Sequence, residues 1–437
     1  MNQFTASLWG DEAFSAILSQ KSLPQIISTI ARDTSPPLYN LSEHIWFRFF
    51  GSSEVAIRAL SFLYFLIAVF FVYKIGEHLW NRKTGLLAAA LTFFNPFFFN
   101  YAFEGRMYSL LAATVTASMY FFLKRSWRAY VVATVAALYT HHFAIFAIFV
   151  QGLWFLKEYF FGKKKIAGSI LKSFLAVGIL YLPWIIPLYN QTKMVGGGFW
   201  LGTPSLLDLK ILVYKYLAEG IAHSLAKPAL YLALGVVLVR RWGKDLEKSL
   251  FLLSWFFVPI LSAYIISQKF SSIFFDRYLL YVIPAAMLIL ASNLRKISLP
   301  IVAGLLVFFV LIDSFYFTHP TKKPFREFAA YVKEAKRGDD MLINWNSAAH
   351  HLWESKYYGI PAPIYTPEGS LPYYVGTALM TKEDTISSLP SGKAARGVNR
   401  IGAITSGPIE EVTIPGYTKV DAKVFEPLKI VWLARLK

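Results

Sequence analysis

The chain has 437 residues, of which 56% are hydrophobic, 17% aromatic and only 16% charged, with mean hydropathy +0.45. A soluble domain carries about 25% charged residues, so this balance points to a membrane protein. Net charge is +18, yet Lys and Arg fall in short clusters between apolar runs, which argues against a nucleic-acid partner.

In chain order, residues 1–10 lack the basic start and apolar core of a secretory signal. Next comes an acidic pair, Asp11-Glu12, in Leu8-Trp-Gly-Asp-Glu-Ala13. Carboxylates are costly near hydrocarbon, so such a pair beside a bilayer suggests function. The bland alternative is a solvated loop in which Asp11 caps a nearby helix. An amphipathic helix is predicted over Phe14–Ile30, with Phe14, Ile17 and Leu18 lying on the membrane surface. Arg32-Asp33-Thr34-Ser35-Pro36-Pro37 then imposes an extended turn, because each proline restricts the residue before it.

Apolar runs predict spans near 57–78, 84–102, 107–123, 168–189, 227–241, 249–267, 278–293 and 298–317. The stretch 129–160 is too long for one span and is interrupted at Thr140-His-His142, so it reads as two short helices. The expected total is about ten crossings. Alternate loops carry Lys74, Arg82 and Lys83; Lys124, Arg125 and Arg128; Lys157 and Lys163 to Lys165; Arg240, Arg241, Lys244 and Lys248; and Arg295 and Lys296. By the positive-inside rule these loops are cytoplasmic. The opposite face then holds Asp11, Glu104, His141, His142, the 190–226 loop, Asp276-Arg277 and everything after residue 318. Ten spans would place both termini outside, and nothing in residues 1–10 would carry the start across. The sequence therefore anticipates a further helix upstream of Asp11.

After Thr318 the composition changes. A helix is predicted over Phe325–Ala335, a buried strand over Asp340–Asn344, a helix over Ala348–Tyr358, and strands over Arg400–Ile404 and Leu428–Leu433. The expected fold is a multi-pass α-helical membrane domain over 1–317, with its acidic outer loop at 8–56, and a soluble α/β domain over 318–437. No repeat or P-loop is visible.

Several groups could carry chemistry. Glu104 and Arg106 follow Asn95-Pro-Phe-Phe-Phe-Asn-Tyr101; they read as a local ion pair or as an anion site with Tyr108 beside it. Arg277 could bind a phosphate, or anchor the interface while Asp276 neutralises it. Arg58 starts a span, where interfacial anchoring is common. The adjacent pairs His141-His142 and His350-His351 lack metal-ligand spacing, and with no cysteine there is no thiolate site or thiol catalysis. Gly196-Gly-Gly-Phe-Trp200 suits either a lid over a sugar or an interfacial aromatic belt.

Taken in order, these pieces resemble the polyprenyl-phosphate-sugar-dependent glycosyltransferases of the GT-C class, the protein-mannosyltransferase-like or aminoarabinose-transferase-like superfamily. The matching pattern is Trp9-Gly-Asp-Glu-Ala13, Asp33-Thr-Ser-Pro-Pro-Leu-Tyr39, Gly51-Ser-Ser-Glu-Val-Ala-Ile-Arg58, Glu104-Gly-Arg-Met-Tyr108, Tyr139-Thr-His141, Tyr181-Leu-Pro-Trp184 and Arg277-Tyr-Leu-Leu280. It spans residue 8 to about 317, and members of this class carry a transmembrane helix before the acidic loop. The resemblance implies a sugar donor held on a polyprenyl phosphate and a hydroxyl acceptor on a glycan, a glycolipid or protein Ser/Thr. It implies Asp11 as catalytic base with Glu12 beside it. Asp33, Arg58, Glu104, Arg106, Tyr108, His141 and Arg277 are implied as substrate-binding. No cofactor is implied firmly, although some members use a divalent cation at their acidic loops. A transporter or flippase of a lipid-linked glycan is the rival reading, but the spans are nearly free of charge and show no paired halves.

Overall fold

The computed structural model describes residues 1–219, 223–238, 245–294, 299–346, 350–367, 371–389 and 398–436. Arg240, Arg241, Lys244, Arg295, Lys296, part of the 190–226 loop and the start of the predicted 348–358 helix lie outside the described residues. The chain forms two compact units. One comprises Met1–Phe4, Thr34–Ser42 and Val55–His319; the other comprises Thr5–Asp33, Glu43–Glu54 and Pro320–Lys437.

The first unit is helical and multi-pass. Among the described residues, Glu54–Leu79, Lys164–Gly196, Leu246–Lys269 and Pro300–Thr318 are long and apolar enough to cross a bilayer. Arg82–Phe93 and Pro96–Ala102 form a further candidate bent by 67°, where the sequence suggests a straight span over 84–102. Pro96 cannot continue the hydrogen-bond ladder, and Asn95 Oδ1 starts a new helix by accepting from Phe98 N at 3.0 Å. Asn95 Nδ2 donates to Tyr216 O at 3.0 Å, which fixes the bend.

The break inside 129–160 falls where expected, between helices Trp127–Thr140 and Ala144–Phe160. The run 278–293 differs from expectation. It is a short helix Asp276–Leu279, a 3-10 turn and helix Ile283–Leu294, and residues 279–291 are all buried. This apolar run, buried on every side, is divided by the 3-10 turn rather than forming one straight helix. By length and composition the described helices support fewer full crossings than ten.

Helices Glu54–Leu79 and Arg82–Phe93 touch through two glycines. A Cβ added at Gly76 would lie 2.7 Å from Gly85 Cα, and one at Gly85 would lie 2.6 Å from Tyr73 O. These obstacles are backbone atoms, so the helices must part to admit a side chain. Gly85→Ala should therefore cost about 1–3 kcal/mol. The check is the melting temperature of the purified protein; an unchanged value would contradict this packing.

The helix ends divide the basic and the polar groups. At one pole Lys157 pairs with Glu247, and Lys248 Nζ stands 5.8 Å from the Trp80 ring. At the other pole, helix Tyr108–Leu123 begins, Trp127–Thr140 ends and Ala144–Phe160 starts.

The second unit is built on a six-stranded sheet: β1 Asp340–Asn344, β2 Ile364–Tyr365, β3 Thr385–Ile386, β4 Arg400–Thr405, β5 Tyr417–Phe425 and β6 Leu428–Arg435, in spatial order β3-β2-β1-β4-β6-β5. The first four are parallel; β6 runs antiparallel to β4 and β5. Helix Phe325–Ala335 has its predicted bounds and covers one face through Phe325, Phe328 and Val332, against Leu342, Ile404 and Trp432. Ile343, Ile401, Ala403, Val412, Ile414 and Val431 form the core of the other face.

The acidic loop packs into this same unit. Tyr358 Oη accepts from Leu8 N at 2.8 Å and donates to Glu54 Oε1 at 2.9 Å. Arg326 reaches Thr5 O at 3.0 Å and Glu54 Oε1 at 2.6 Å. The stretch 14–30 is not one surface helix. It is two, Gly10–Ser19 and Leu23–Ile30, and Phe14 is buried with its ring 5.3 Å from that of Trp353. The apolar face of the first helix therefore meets protein rather than lipid.

Candidate active site

In the helical unit, four residues spread over 172 positions of sequence, from Arg106 to Arg277, come together. Arg106 lies just before helix Tyr108–Leu123 and Tyr108 begins it, His141 caps the end of Trp127–Thr140, and Arg277 lies in Asp276–Leu279. The Arg277 guanidinium stands 5.4 Å from the Tyr108 ring, 4.7 Å from Phe275 and 6.0 Å from Tyr278. The His141 ring lies 5.0 Å from that of Tyr278, tilted against it by 44°. Glu104 is buried beside this group, and its charge, with those of Asp276 and Arg277, reaches Tyr101. Asp276 does not serve chiefly to neutralise Arg277. Its Oδ2 pairs with Lys215 Nζ at 3.2 Å, while Oδ1 accepts from Arg277 backbone N at 2.7 Å.

Burial drives the His141 imidazole down to about 3, assisted by the neighbouring His142 and by the charges of Arg106 and Arg277. His142 is likewise pushed down to about 4 by burial, although its bond to Gln191 opposes this. His142 Nε2 meets Gln191 Oε1 at 2.8 Å, and Gln191 Nε2 donates to Ser35 O at 3.2 Å. The Ser-Pro-Pro turn is thereby tied to the histidine break through Gln191, a residue with no sequence signal of its own. Neutral imidazoles can still donate or accept one hydrogen bond per ring nitrogen, which suits a site that orients hydroxyls.

The same shifts set a pH dependence. His350 in the other unit is also driven to about 4, again chiefly by burial. Unfolded histidines bind protons near pH 6.5, so between that value and about 4 the unfolded state holds more protons. Stability should therefore fall steadily as pH drops from 6.5 towards 4. Thermal unfolding at pH 7 and pH 5 checks this, and equal midpoints would contradict it.

Arg58 is engaged elsewhere. It is fully buried, and Nη1 donates to Gln3 O at 2.9 Å, so it secures the first residues of the chain. Trp200 of the glycine loop meets Phe275 at 5.2 Å, ring to ring. This places an aromatic of that loop one residue-contact from Arg277.

In the second unit, Asp11 and Glu12 occupy the first turn of helix Gly10–Ser19 with different surroundings. Glu12 is fully buried; its Oε2 accepts from Trp9 N at 3.3 Å and lies 3.9 Å from Lys322 Nζ. The Lys322 ammonium also sits 5.0 Å over the Trp9 ring. Glu12 thus fastens the start of the helix, the task that the bland reading of the sequence gives to Asp11. Asp11 is half-buried. Asp33, also half-buried, closes the turn after Leu23–Ile30 through its N–H to Ile30 O at 3.0 Å. Among the described residues no three His, Asp or Glu side chains gather in a way that could hold a metal ion.

The fold matches those of two solved proteins. ArnT from Cupriavidus metallidurans in the apo state superposes with TM-score 0.69 at 13% identity, covering 99% of this chain and 94% of that one. The same protein bound to undecaprenyl phosphate gives 0.66 at 12%, covering 99% and 95%. The Archaeoglobus fulgidus oligosaccharyltransferase gives 0.52 at 12%, covering 91% and 64%. The chain is therefore a multi-pass membrane protein with the GT-C glycosyltransferase fold. Residues 34–188 match the family described as Dolichyl-phosphate-mannose-protein mannosyltransferase, which bears out the resemblance read from the sequence motifs. None of the curated proteins compared matches the chain.

Proposed function

We propose that this protein is an integral-membrane glycosyltransferase that moves a sugar from a polyprenyl-phosphate carrier to an acceptor hydroxyl on the extracytoplasmic face. The observation that carries the reading is the gathering of Arg106, Tyr108, His141 and Arg277 at one pole of the helical unit. A cationic, aromatic-lined patch at helix ends suits a lipid phosphate whose tail remains in the bilayer. The fold's likeness to ArnT, solved with undecaprenyl phosphate, supports the same donor class.

In the proposed reaction the acceptor oxygen attacks the anomeric carbon and Asp11 takes its proton. The bond between that carbon and the phosphate oxygen breaks, and the electron pair leaves on the lipid phosphate. This leaving group carries its own charge and needs no general acid. It needs cations, and Arg106 and Arg277 supply them, because guanidinium binds phosphate bidentately. Glu104, Tyr108, His141 and Asp33 orient the sugar, and a single displacement inverts the anomeric centre. Functionally, residues 1–317 form the catalytic membrane domain and 318–437 its extracytoplasmic companion. Mannose is the sugar favoured by the family match, with other hexoses or pentoses as alternatives.

The test is donor turnover. The purified protein in lipid nanodiscs should convert a polyprenyl-phosphate hexose or pentose to polyprenyl phosphate, read by mass spectrometry. If each donor of such a panel stays intact, the reading fails.

A further inference from the structure

The carboxyl ends of β1 and β4 are neighbours, but the chain leaves them in opposite directions. After β1 it passes to the face covered by helix Phe325–Ala335, where Ile360 and Ala362 pack. After β4 it passes to the other face, where Val412 and Ile414 pack. Adjacent parallel strands whose connections diverge leave a crevice beyond their carboxyl ends, and open α/β sheets bind ligands there.

Polar side chains collect at this place. Asn346 is hydrogen-bonded to Thr405 Oγ1, and His351 crosses from one loop to the other, its Nε2 3.1 Å from Ser406 Oγ. The other ring nitrogen of His351 meets Glu354 Oε1 at 3.2 Å. Glu354 is 5% exposed, and among the described residues its second oxygen, Oε2, is buried without a hydrogen-bond partner. The charge of Glu354 also reaches the ring of the neighbouring His350. A buried carboxylate oxygen left unmatched is costly, so it marks a place where a donor is expected. The acidic helix adjoins the same carboxylate. A Cβ at Gly10 would lie 3.6 Å from both oxygens of Glu354, and Asp11 is the next residue.

We propose that this crevice of the C-terminal sheet receives the acceptor, a hydroxyl-rich glycan group, with Glu354 Oε2 accepting a hydrogen bond from one of its hydroxyls. Asn346, His350 and Ser406 supply further polar contacts, and the placement brings a hydroxyl beside the residue that follows Gly10. Glu354 is a binding residue here, and the proton of the transfer still goes to Asp11. The inference rests on the glycosyltransferase reading for the identity of its ligand, but not for the existence of the site.

Methyl mannopyranoside serves as the probe, added to the full-length protein in nanodiscs, with hydrogen–deuterium exchange followed by peptide. In the wild type it should slow exchange in peptides covering 344–346, 350–358 and 405–407. Glu354→Gln should lose that protection, through about 10- to 100-fold weaker binding. Ser406→Ala, a milder change, covers the case in which Glu354→Gln fails to fold and should weaken protection in the same peptides. Absence of protection in the wild type overturns the proposal, as does equal protection in wild type and a folded variant. In the latter case Glu354 only supports the helix start. Donor turnover is measured on the same samples: if it is absent while protection is present, the transferase reading fails and the crevice stands.

Discussion

Asp11→Asn is expected to lower kcat for sugar transfer by about 10²- to 10⁴-fold, the usual contribution of a positioned general base. Donor KM should hardly move, because the amide keeps the size of the carboxylate and loses only its proton affinity. The melting temperature should also stay near the wild-type value, since Asp11 is only half-buried. Glu12→Gln should behave differently. Glu12 is fully buried against Trp9 N and Lys322, so its loss should destabilise the helix start and lower the melting temperature, with activity falling as a consequence. The two variants therefore separate the adjacent carboxylates by readout, kcat for the first and stability for the second. An Asp11→Asn protein with full activity would remove the base assignment.

Arg277→Ala should raise the donor KM by about 10- to 100-fold, the range for losing a hydrogen bond to a charged group. Arg277→Lys should recover little of that. The guanidinium is flanked by Phe275, Tyr108 and Tyr278 at 4.7, 5.4 and 6.0 Å, and a planar fork stacks on rings and grips phosphate in a way that a lysine cannot. Wild-type donor kinetics in Arg277→Lys would show that charge alone suffices and that the aromatic setting is incidental.

Much of this site is legible in the sequence because its parts sit at helix ends. Arg106 precedes one apolar run, His141 breaks another and Arg277 opens a third, so hydropathy alone places them near membrane surfaces. What local pattern does not carry is who partners whom. Lys215 taking Asp276, Gln191 linking His142 to Ser35, and Arg58 turning to Gln3 O are contacts between distant segments. The same limit explains two elements that are not the straight helices expected. The run at 279–291, buried on all sides, is divided by a 3-10 turn, and an Asn-Pro step inside an apolar run looks like continuity until the 67° bend is seen. In the second unit the longer buried strands β1, β4 and β6 show in their apolar runs. The two-residue strands β2 and β3 have no period to read, and β5 is an edge strand whose residues are mostly exposed. Nothing near Glu354 in the sequence signals that it lies against Gly10, since that contact depends on how helices Gly10–Ser19 and Leu352–Tyr357 pack.

The central claim is that the protein breaks a sugar–phosphate bond rather than moving an intact lipid. Proteoliposomes loaded with a polyprenyl-phosphate sugar labelled in its sugar ring allow both outcomes to be followed in one time course. The account predicts that label leaves the lipid for a glycosidic product, that polyprenyl phosphate accumulates in step, and that Asp11→Asn abolishes both. Label that crosses the bilayer still attached to its lipid, with no polyprenyl phosphate formed, would contradict it and identify a flippase.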